Sequence, residues 1–480
     1  MSSYSATIKD SSINAIARIL LVPITFLTLP VLTNNLSIID YGLWGLIFTT
    51  NNLTMPFTGL GLPSAFSRYA PSYNKEQFAD GFSSLTFFKF LTTLILSVFV
   101  LLFSKSISNT FFEDKILLVN LLSLFILVCS FEPILTRSLR IKRKILIASI
   151  YNLWNGYGTF FLYIIFFLFS KNIETLFLVF ILFKLINILI LTYKMRDIIS
   201  FKTFDFAIIT KYFNYGKHTL VSSIGFWYIN LSDRIIMTGL IGGFSLGVYT
   251  ASYQIGTIPR IFSGIISYIL LIALSKLFDQ GKIQEVKVHL KESLSLFLSF
   301  SIIFCFGAIL FSEDVLLVLT NKDIAERGSM TTIIVSFAHL FLGISTIFSY
   351  PFLLTKNVKF LSVIWIIALI INIILNFILI PILGIEGAAI STLISYFIVM
   401  CVSIFKSRSL LRFEIDISKL IKVFFIAILM VLTDVFLKLY NPEVQVFFRF
   451  VLSLLVISVL CLALNIFELN KLKKIIKYDK

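Results

Sequence analysis

Apolar segments long enough to cross a membrane recur along almost the whole chain, and they constrain the fold more than any other feature. About 20 consecutive apolar residues suffice for a transmembrane α-helix. Of the 480 residues, 58% are hydrophobic and 14% charged, whereas soluble domains carry about 25% charged residues. We therefore predict an all-α integral membrane protein with about fourteen spans. These lie at about 13–33, 42–62, 84–104, 116–134, 150–170, 173–193, 218–240, 245–274, 292–312, 330–354, 360–382, 386–405, 419–438 and 446–467.

Basic residues cluster on one side of this fourteen-span arrangement. Because loops rich in lysine and arginine stay in the cytoplasm, the pattern predicts cytoplasmic termini. The net charge of +16 then reflects topology and contact with anionic membrane lipids, so nucleic-acid binding is not needed to explain it. The clusters lie at 137–144, 194–202, 276–291, 406–412 and 471–480.

Three short motifs recur in the same order and at nearly constant spacing, which indicates two related halves of six helices each. An even number of helices gives both halves the same orientation, so they should be related by a pseudo-two-fold axis along the membrane normal. We predict an N-terminal lobe at 1–205, a C-terminal lobe at 206–415 and two additional helices with a basic tail at 416–480. The matched pairs are Gly42 with Gly247, Arg68 with Lys276, and Glu174 with Glu386.

Ionisable side chains inside a membrane are costly, so each one in a predicted span is a candidate functional residue. Asp434 and Arg449 lie near the outer ends of consecutive helices, which favours an ion pair between them. Lys89 starts close enough to the cytoplasmic side to extend its ammonium group to the interface. The candidates are Arg18, Lys89, Lys184, Asp233, Arg234, Arg260, Asp434 and Arg449.

The four remaining cations outnumber the single remaining acid, Asp233. Arg18, Lys184 and Arg260 have no acid nearby in the sequence, and Arg234 has only its neighbour Asp233. A cavity lined by these cations suits an anionic substrate, and arginine suits a phosphate or pyrophosphate because its planar group donates two hydrogen bonds at once. Arg234 fits an interhelix structural bond equally well. Asp233 is either a coupling residue or a charge partner.

Sequence signatures of catalysis are absent. There is no G-x-x-x-x-G-K-[ST] phosphate loop and no H-E-x-x-H zinc motif. The four cysteines are isolated within apolar segments and lack metal-ligand spacing. We expect no cofactor, no metal and no enzymatic activity. No predicted outer loop carries a carboxylate pair in a segment large enough to hold an acceptor sugar, which disfavours a lipid-linked sugar polymerase.

Three segments carry a family resemblance. "LPVLTNNLSIIDYGLWGLIFTTNNLTMPFTGLGLPSAFSRY", "LSDRIIMTGLIGGFSLGVYTASYQIG" and "NIILNFILIPILGIEGAAISTLISY" resemble segments of the polysaccharide repeat-unit exporters. These are the O-antigen and capsule flippases of the multidrug/oligosaccharidyl-lipid/polysaccharide exporter superfamily. The resemblance covers most of the chain in the right order.

The resemblance implies a flippase in the bacterial inner membrane. It would move an undecaprenyl-pyrophosphate-linked oligosaccharide by alternating access, for O-antigen or capsule synthesis. In related lipid II flippases, arginines of the first and eighth helices line a cationic cavity, and Arg18 and Arg260 occupy comparable helices. The implied partners are the lipid-linked oligosaccharide, membrane lipids, a polysaccharide polymerase and a chain-length regulator.

A cation-coupled multidrug exporter of the same superfamily is the alternative. That branch typically holds an acidic residue deep in a lobe. In the N-terminal lobe we expect Glu132 near a cytoplasmic end and Glu174 near an outer end, so neither lies mid-span. This arrangement disfavours drug–cation antiport, although Asp233 leaves it open.

Overall fold

A computed structural model of the protein describes residues 3–197, 204–355, 357–440 and 449. Within these residues the regular structure is helical, with sixteen α-helices, one short 3-10 turn (Ala70–Ser72) and no strand. The helices are α1 (Ser3–Thr33), α2 (Ile38–Gly59), α3 (Leu62–Tyr69), α4 (Lys75–Leu102), α5 (Ser104–Phe111), α6 (Ile116–Cys129), α7 (Glu132–Ile141), α8 (Ile145–Phe167), α9 (Ile173–Lys194), α10 (Phe206–Gly256), α11 (Ile258–Asp279), α12 (Ile283–Leu319), α13 (Lys322–Phe348), α14 (Tyr350–Leu354), α15 (Val358–Leu410) and α16 (Ile417–Tyr440).

Side-chain caps fix where several helices begin. Ser37 precedes α2 and accepts a hydrogen bond from the Asp40 backbone N–H. Asn74 and Gln77 form a reciprocal capping box at the start of α4. Asn172 accepts from the Thr175 backbone N–H at the start of α9. Such caps satisfy backbone donors that the first helical turn leaves without an intrahelical acceptor.

Two long helices each contain a glycine break. In α10 the break is at Gly242, with φ 81° and ψ 176°, and in α15 it is at Gly384, with φ 61° and ψ −133°. Glycine adopts such positive φ values without the steric penalty that a Cβ would bring. Each of these elements therefore consists of two consecutive helices joined at one residue.

The chain forms two compact units. The first comprises Met1–Thr250, Leu319–Asn321 and Trp365–Ser391, and the second comprises Ala251–Val318, Lys322–Ile364 and Thr392–Lys480. The predicted lobe boundaries concern the sequence repeat, and they stay a prediction.

Aromatic side chains fill the core of the first unit. Trp44 of α2 makes edge contacts with Phe48, Tyr163, Phe177 and Phe180, with ring centroids 5.4–5.9 Å apart. Such edge-to-face pairs stabilise a core beyond the area that they bury. The cluster joins α2, α8 and α9 at one place.

Aliphatic side chains dominate the core of the second unit. Leu274 of α11, Leu290 of α12, Ile347 of α13 and Val423 of α16 are all completely buried in one cluster. This cluster ties the helices of the unit together by apolar packing.

The predicted fold class is confirmed. Thirteen of the fourteen predicted spans fall on helices of the described chain. The last, 446–467, lies outside the described residues except at Arg449. Across the described ranges, nine helices are long and apolar enough to cross a membrane, with the two helices of α15 counted as one.

Candidate functional site

The adjacent charges Asp233 and Arg234 lie in the part of α10 before its glycine break. Asp233 is fully buried. Its carboxylate accepts hydrogen bonds from the Tyr249 hydroxyl and, at 2.8 Å, from the Arg234 backbone N–H. Because Tyr249 lies beyond Gly242, the Asp233 carboxylate fastens the two helices of α10 together. These hydrogen bonds offset part of the cost of burying the carboxyl group.

The Arg234 side chain is directed toward α2. Its Nη1 donates to the Thr49 hydroxyl at 3.4 Å, and its charge lies within electrostatic range of Tyr41. The side chain is half-buried. This contact agrees with the interhelix bond that the sequence left open for Arg234.

Glycines bring α2 and the second helix of α10 into close contact at their starts. A Cβ added to Gly42 would lie 2.4 Å from the Gly243 carbonyl oxygen, and one added to Gly247 would lie 2.1 Å from the Ile38 carbonyl oxygen. Gly42 and Gly247 are one of the pairs matched in the internal repeat. The two copies of that motif therefore pack directly against each other.

Two acids secure the same end of the unit. The Glu113 carboxylate accepts from the Gly243 backbone N–H at 2.8 Å, which caps the helix that starts after Gly242. Asp40, in the first turn of α2, forms an ion pair with Lys115. The close helix contact is thus flanked by a cap and a charge pair.

Lys184 lies in a second polar cluster, where the structure gives it a partner that the sequence did not indicate. Its Nζ is 3.3 Å from the Glu132 carboxylate and 3.4 Å from the Asn155 side-chain oxygen. Lys184 thus has an acid partner, although none is near it in sequence. Glu132 is the first residue of α7, and its carboxylate reaches Lys184 in the middle of α9.

Amide side chains complete this second cluster. Asn155 donates to Glu132 at 3.2 Å, Asn187 donates to Asn155 at 3.3 Å, and the Trp154 indole N–H donates to Asn187 at 2.8 Å. Sequence reasoning missed Glu132, Asn155 and Asn187 as partners of Lys184. The available signal was three polar residues within apolar segments, but their helix-to-helix pairing could not be inferred from spacing.

Arg18 and Arg260 lie on α1 and α11. Arg18 belongs to the first unit and Arg260 to the second. The Arg18 side chain is exposed, and the Arg260 side chain is half-buried. Arg260 lies within electrostatic range of His339. The His339 ring is fully buried, and its Nδ1 is 2.9 Å from the Val335 carbonyl oxygen.

The two peripheral predictions have different outcomes. Arg449 Nη1 donates to the Asp434 carboxylate at 3.1 Å, so the predicted ion pair is confirmed. The expectation that Lys89 reaches the membrane interface is wrong, because its side chain is only 3% exposed. Since α4 begins at Lys75 rather than near residue 84, Lys89 lies farther along the helix than the sequence suggested.

Within the described part of the chain, no group of three or more His, Cys, Asp or Glu side chains could hold a metal ion.

Comparison with protein families gives a match over most of the first 324 residues. Residues 31–324 match a family model described as "Polysaccharide biosynthesis protein". A "Probable low-salt glycan biosynthesis flippase Agl15" from Haloferax volcanii is 24% identical over 190 residues, which are 38% of this chain and 39% of that protein. The membrane protein MJ1068 from Methanocaldococcus jannaschii is 24% identical over 485 residues, covering 91% of each chain. A second protein from that organism, MJ1375, is 30% identical, and the match spans only 40% of its length.

Solved structures show the same fold. A lipid II flippase, MurJ, in an inward closed conformation aligns with a TM-score of 0.77 at 18% identity, covering 97% of this chain and 99% of that one. An inward-facing multidrug resistance transporter of the MATE family aligns with a TM-score of 0.66 at 13% identity, covering 82% and 98%. The chain therefore has the all-helical fold that these transporters share.

Proposed function

Because the chain belongs to the family of polysaccharide biosynthesis proteins, we propose that it is a flippase for a lipid-linked oligosaccharide. Its substrate is an undecaprenyl-pyrophosphate-linked repeat unit of a surface polysaccharide such as O-antigen or capsule. The protein moves this substrate across the bacterial inner membrane by alternating access, without catalysing a reaction. The name of the Haloferax relative, a glycan biosynthesis flippase, supports this proposal.

The proposal rests on one observation: the acids within the spans already accept hydrogen bonds from other groups of the protein. Glu132 accepts from Lys184 and Asn155, Asp233 accepts from Tyr249, and Asp434 accepts from Arg449. Each carboxylate thus already has hydrogen-bond donors from the protein.

The cations of the spanning helices exceed these carboxylates in number. Arg18, Arg234 and Arg260 add positive charge to apolar helices α1, α10 and α11. A pyrophosphate group supplies matching negative charge, and guanidinium groups bind it through paired hydrogen bonds. We assign these three arginines to the substrate pyrophosphate, and Asp233 to the positioning of α10. We do not assign Lys184 to substrate binding, because its charge is neutralised by Glu132.

The proposed orientation follows from the basic clusters. With both termini in the cytoplasm, the cluster at 137–144 and the others named above face the leaflet where lipid-linked repeat units are assembled. The proposed partners are the lipid-linked oligosaccharide and the membrane lipids. A polymerase and a chain-length regulator would use the product on the outer side.

The leaflet distribution of lipid-linked oligosaccharide in cells that lack the protein tests this function. We expect repeat units to accumulate on the cytoplasmic leaflet and the wild-type gene to restore their outer-leaflet pool. An Arg18→Gln, Arg260→Gln variant should fail to restore it at equal protein level. Mass spectrometry of the accumulated lipid identifies the polyprenyl carrier.

A matched control separates charge loss at the site from charge loss in general. Lys322 is an exposed lysine paired with Glu326 on the surface of α13, so Lys322→Gln should restore the outer pool fully. Full restoration by the double arginine variant would refute the site. An outer pool that is normal without the protein would refute the function.

A cation-coupled multidrug exporter is the second candidate, and the position of Glu132 favours it. The sequence disfavoured antiport because no mid-span carboxylate was expected in the N-terminal lobe; support for the exporter comes from the pairing of Glu132 with Lys184 of α9. The Lys184 ammonium group occupies the position that a coupling cation would take. Drug-resistance profiling of the deletion strain separates the two functions, since only an exporter predicts increased drug sensitivity.

A further inference from the structure

A cavity in the first unit, between α3 and α7, has no role in the proposed transport site. Its volume is about 450 Å³, within the usual range for small-ligand pockets. Two arginines, two hydroxyl residues and two apolar residues line it: Ser67, Pro133, Thr136, Arg137, Arg140 and Ile141. Both charged groups of this lining are cations, so the cavity suits an anion.

Arg137 of α7 is held in place by hydrogen bonds to the α3 region. Its Nη1 donates to the Pro63 carbonyl oxygen at 2.8 Å and to the Ser67 hydroxyl at 3.0 Å. Both acceptors are neutral, so these contacts leave the guanidinium charge unbalanced. A guanidinium group has five N–H donors, and anchoring through Nη1 leaves those of Nε and Nη2 for a ligand in the cavity that Arg137 lines.

Arg140 follows Arg137 by three residues on α7. Residues three apart are neighbours on the surface of a helix, which explains why both side chains line the same cavity. Like charges at this spacing repel each other, and an anion that accepts hydrogen bonds from both groups removes the repulsion. The Arg140 side chain is exposed, so a ligand reaches the cavity from the protein surface.

The hydroxyl groups of the lining leave recognition to the two arginines. The Ser67 hydroxyl donates to the Pro63 carbonyl oxygen at 3.1 Å, and the Thr136 hydroxyl donates to the Glu132 carbonyl oxygen at 3.1 Å. Two guanidinium groups favour a phosphate over a carboxylate as the ligand. A single guanidinium group already pairs with both oxygens of a carboxylate, whereas a phosphate group has further oxygens for a second one.

We propose that Arg137 and Arg140 form an anion site in this cavity that binds a phosphate group. The site belongs to α3 and α7, whereas the arginines assigned to transport belong to α1, α10 and α11. It does not depend on the proposed transport function. The phosphate is carried either by a lipid headgroup or by a soluble compound, and the recognition chemistry is the same for both.

Isothermal titration calorimetry of the delipidated full chain in neutral detergent, with inorganic pyrophosphate as the probe, tests the site. The background variant Arg18→Gln, Arg260→Gln removes two arginines of the proposed transport site, and we expect pyrophosphate still to bind. Adding Arg140→Gln to this background should weaken binding about tenfold or more, the value of one charge-assisted hydrogen bond. Adding Lys144→Gln instead removes an exposed cation of the same basic segment outside the cavity lining, and it should leave the affinity unchanged.

The choice of variants keeps the test decisive. Arg137 is bonded to Pro63 and Ser67, so its loss can disturb folding, and the exposed Arg140 carries the test instead. Three results would overturn the proposal: no pyrophosphate binding in the background variant, unchanged affinity in Arg140→Gln, or an equal loss in Lys144→Gln, which would indicate diffuse attraction to the basic segment.

Competition identifies the source of the phosphate once pyrophosphate binding is established. The competitors are phosphatidylglycerol and diacylglycerol, which lacks the phosphate. Displacement of pyrophosphate by phosphatidylglycerol and not by diacylglycerol assigns the site to a lipid headgroup. Displacement by neither assigns it to a soluble phosphate compound, and both of these outcomes support the site. Displacement by diacylglycerol would show that the cavity selects apolar chains, and it would overturn the proposal.

Discussion

The glycine contact between α2 and the second helix of α10 leads to the most direct prediction. Gly247→Ala places a Cβ 2.1 Å from the Ile38 carbonyl oxygen and 2.8 Å from the Ile38 Cγ2 atom. The clash is with backbone atoms at the start of each helix rather than with a flexible side-chain end. The substitution should therefore force the two helices apart.

The magnitude follows from the distances. Real Cβ atoms essentially never approach another heavy atom within 3.0 Å, so the helices must separate by about 1 Å, and overpacking of this kind costs about 1–3 kcal/mol. Gly264 of α11 offers a matched control, because a Cβ there meets nothing within 4 Å. Alanine raises helix propensity by a similar amount at both positions. The difference in stability between Gly247→Ala and Gly264→Ala then measures the steric cost alone.

Thermal unfolding of the purified protein in detergent, followed by intrinsic fluorescence, measures this difference. An unfolding entropy of about 2.1 cal/mol/K per residue converts 1–3 kcal/mol into a difference in Tm of about 1–3 °C for a chain of this size. We expect Gly247→Ala to melt below Gly264→Ala by that amount. Equal melting temperatures would refute the close approach of the two helices.

Two further sets of substitutions probe the buried polar clusters. Tyr249→Phe removes a hydrogen bond to the buried Asp233 carboxylate and should lower stability by about 1.5–3 kcal/mol. When Tyr249→Phe is combined with Asp233→Asn, the loss of stability should be less than the sum of the two single losses. Additive losses in a thermal unfolding series would contradict a hydrogen bond between the two side chains. Glu132→Gln or Lys184→Gln alone leaves a charge without its partner and should lower the Tm, whereas the double variant should recover most of it. Cells with the double variant should also make surface polysaccharide normally. Loss of surface polysaccharide at a normal protein level would show that Lys184 takes part in substrate binding.

Hydropathy and local charge predicted most of the helices and one ion pair. The predicted spans follow from length and apolar content, which the membrane imposes on each helix separately. Asp434 and Arg449 could be paired from sequence because consecutive helices bring their near ends together. Both inferences depend on residues close in sequence or on properties of one helix.

The polar clusters could not be predicted in the same way, because helix boundaries decide the depth of each charge. Hydropathy ended the fourth span near residue 134, whereas a separate helix, α7, begins at Glu132 and brings its carboxylate to Lys184. The capping box at Asn74 starts α4 about nine residues before the apolar window, at about 1.5 Å of rise per residue. This shift carries Lys89 away from the interface and into the first unit.

The internal repeat is the feature in which sequence and structure inform each other most. The offset that pairs Gly42 with Gly247 also pairs Ser37, the cap of α2, with Gly242, the break in α10. The offset that pairs Glu174 with Glu386 likewise pairs Asn172, the cap of α9, with Gly384, the break in α15. In each pair a capped helix start in one copy corresponds to a glycine break in the other, so both copies begin a helix at the same place.

This correspondence explains why glycine occurs at both Gly42 and Gly247. Each motif begins its helix in the same register, so the two copies present equivalent surfaces when they meet. A backbone-to-backbone contact between equivalent surfaces requires a residue without a Cβ on both sides. A side chain on either glycine would collide with backbone atoms of the opposite copy. A second substitution at the other glycine therefore cannot relieve that collision. The contact should therefore tolerate neither single alanine nor paired alanine substitution, and the double variant Gly42→Ala, Gly247→Ala should melt below each single one.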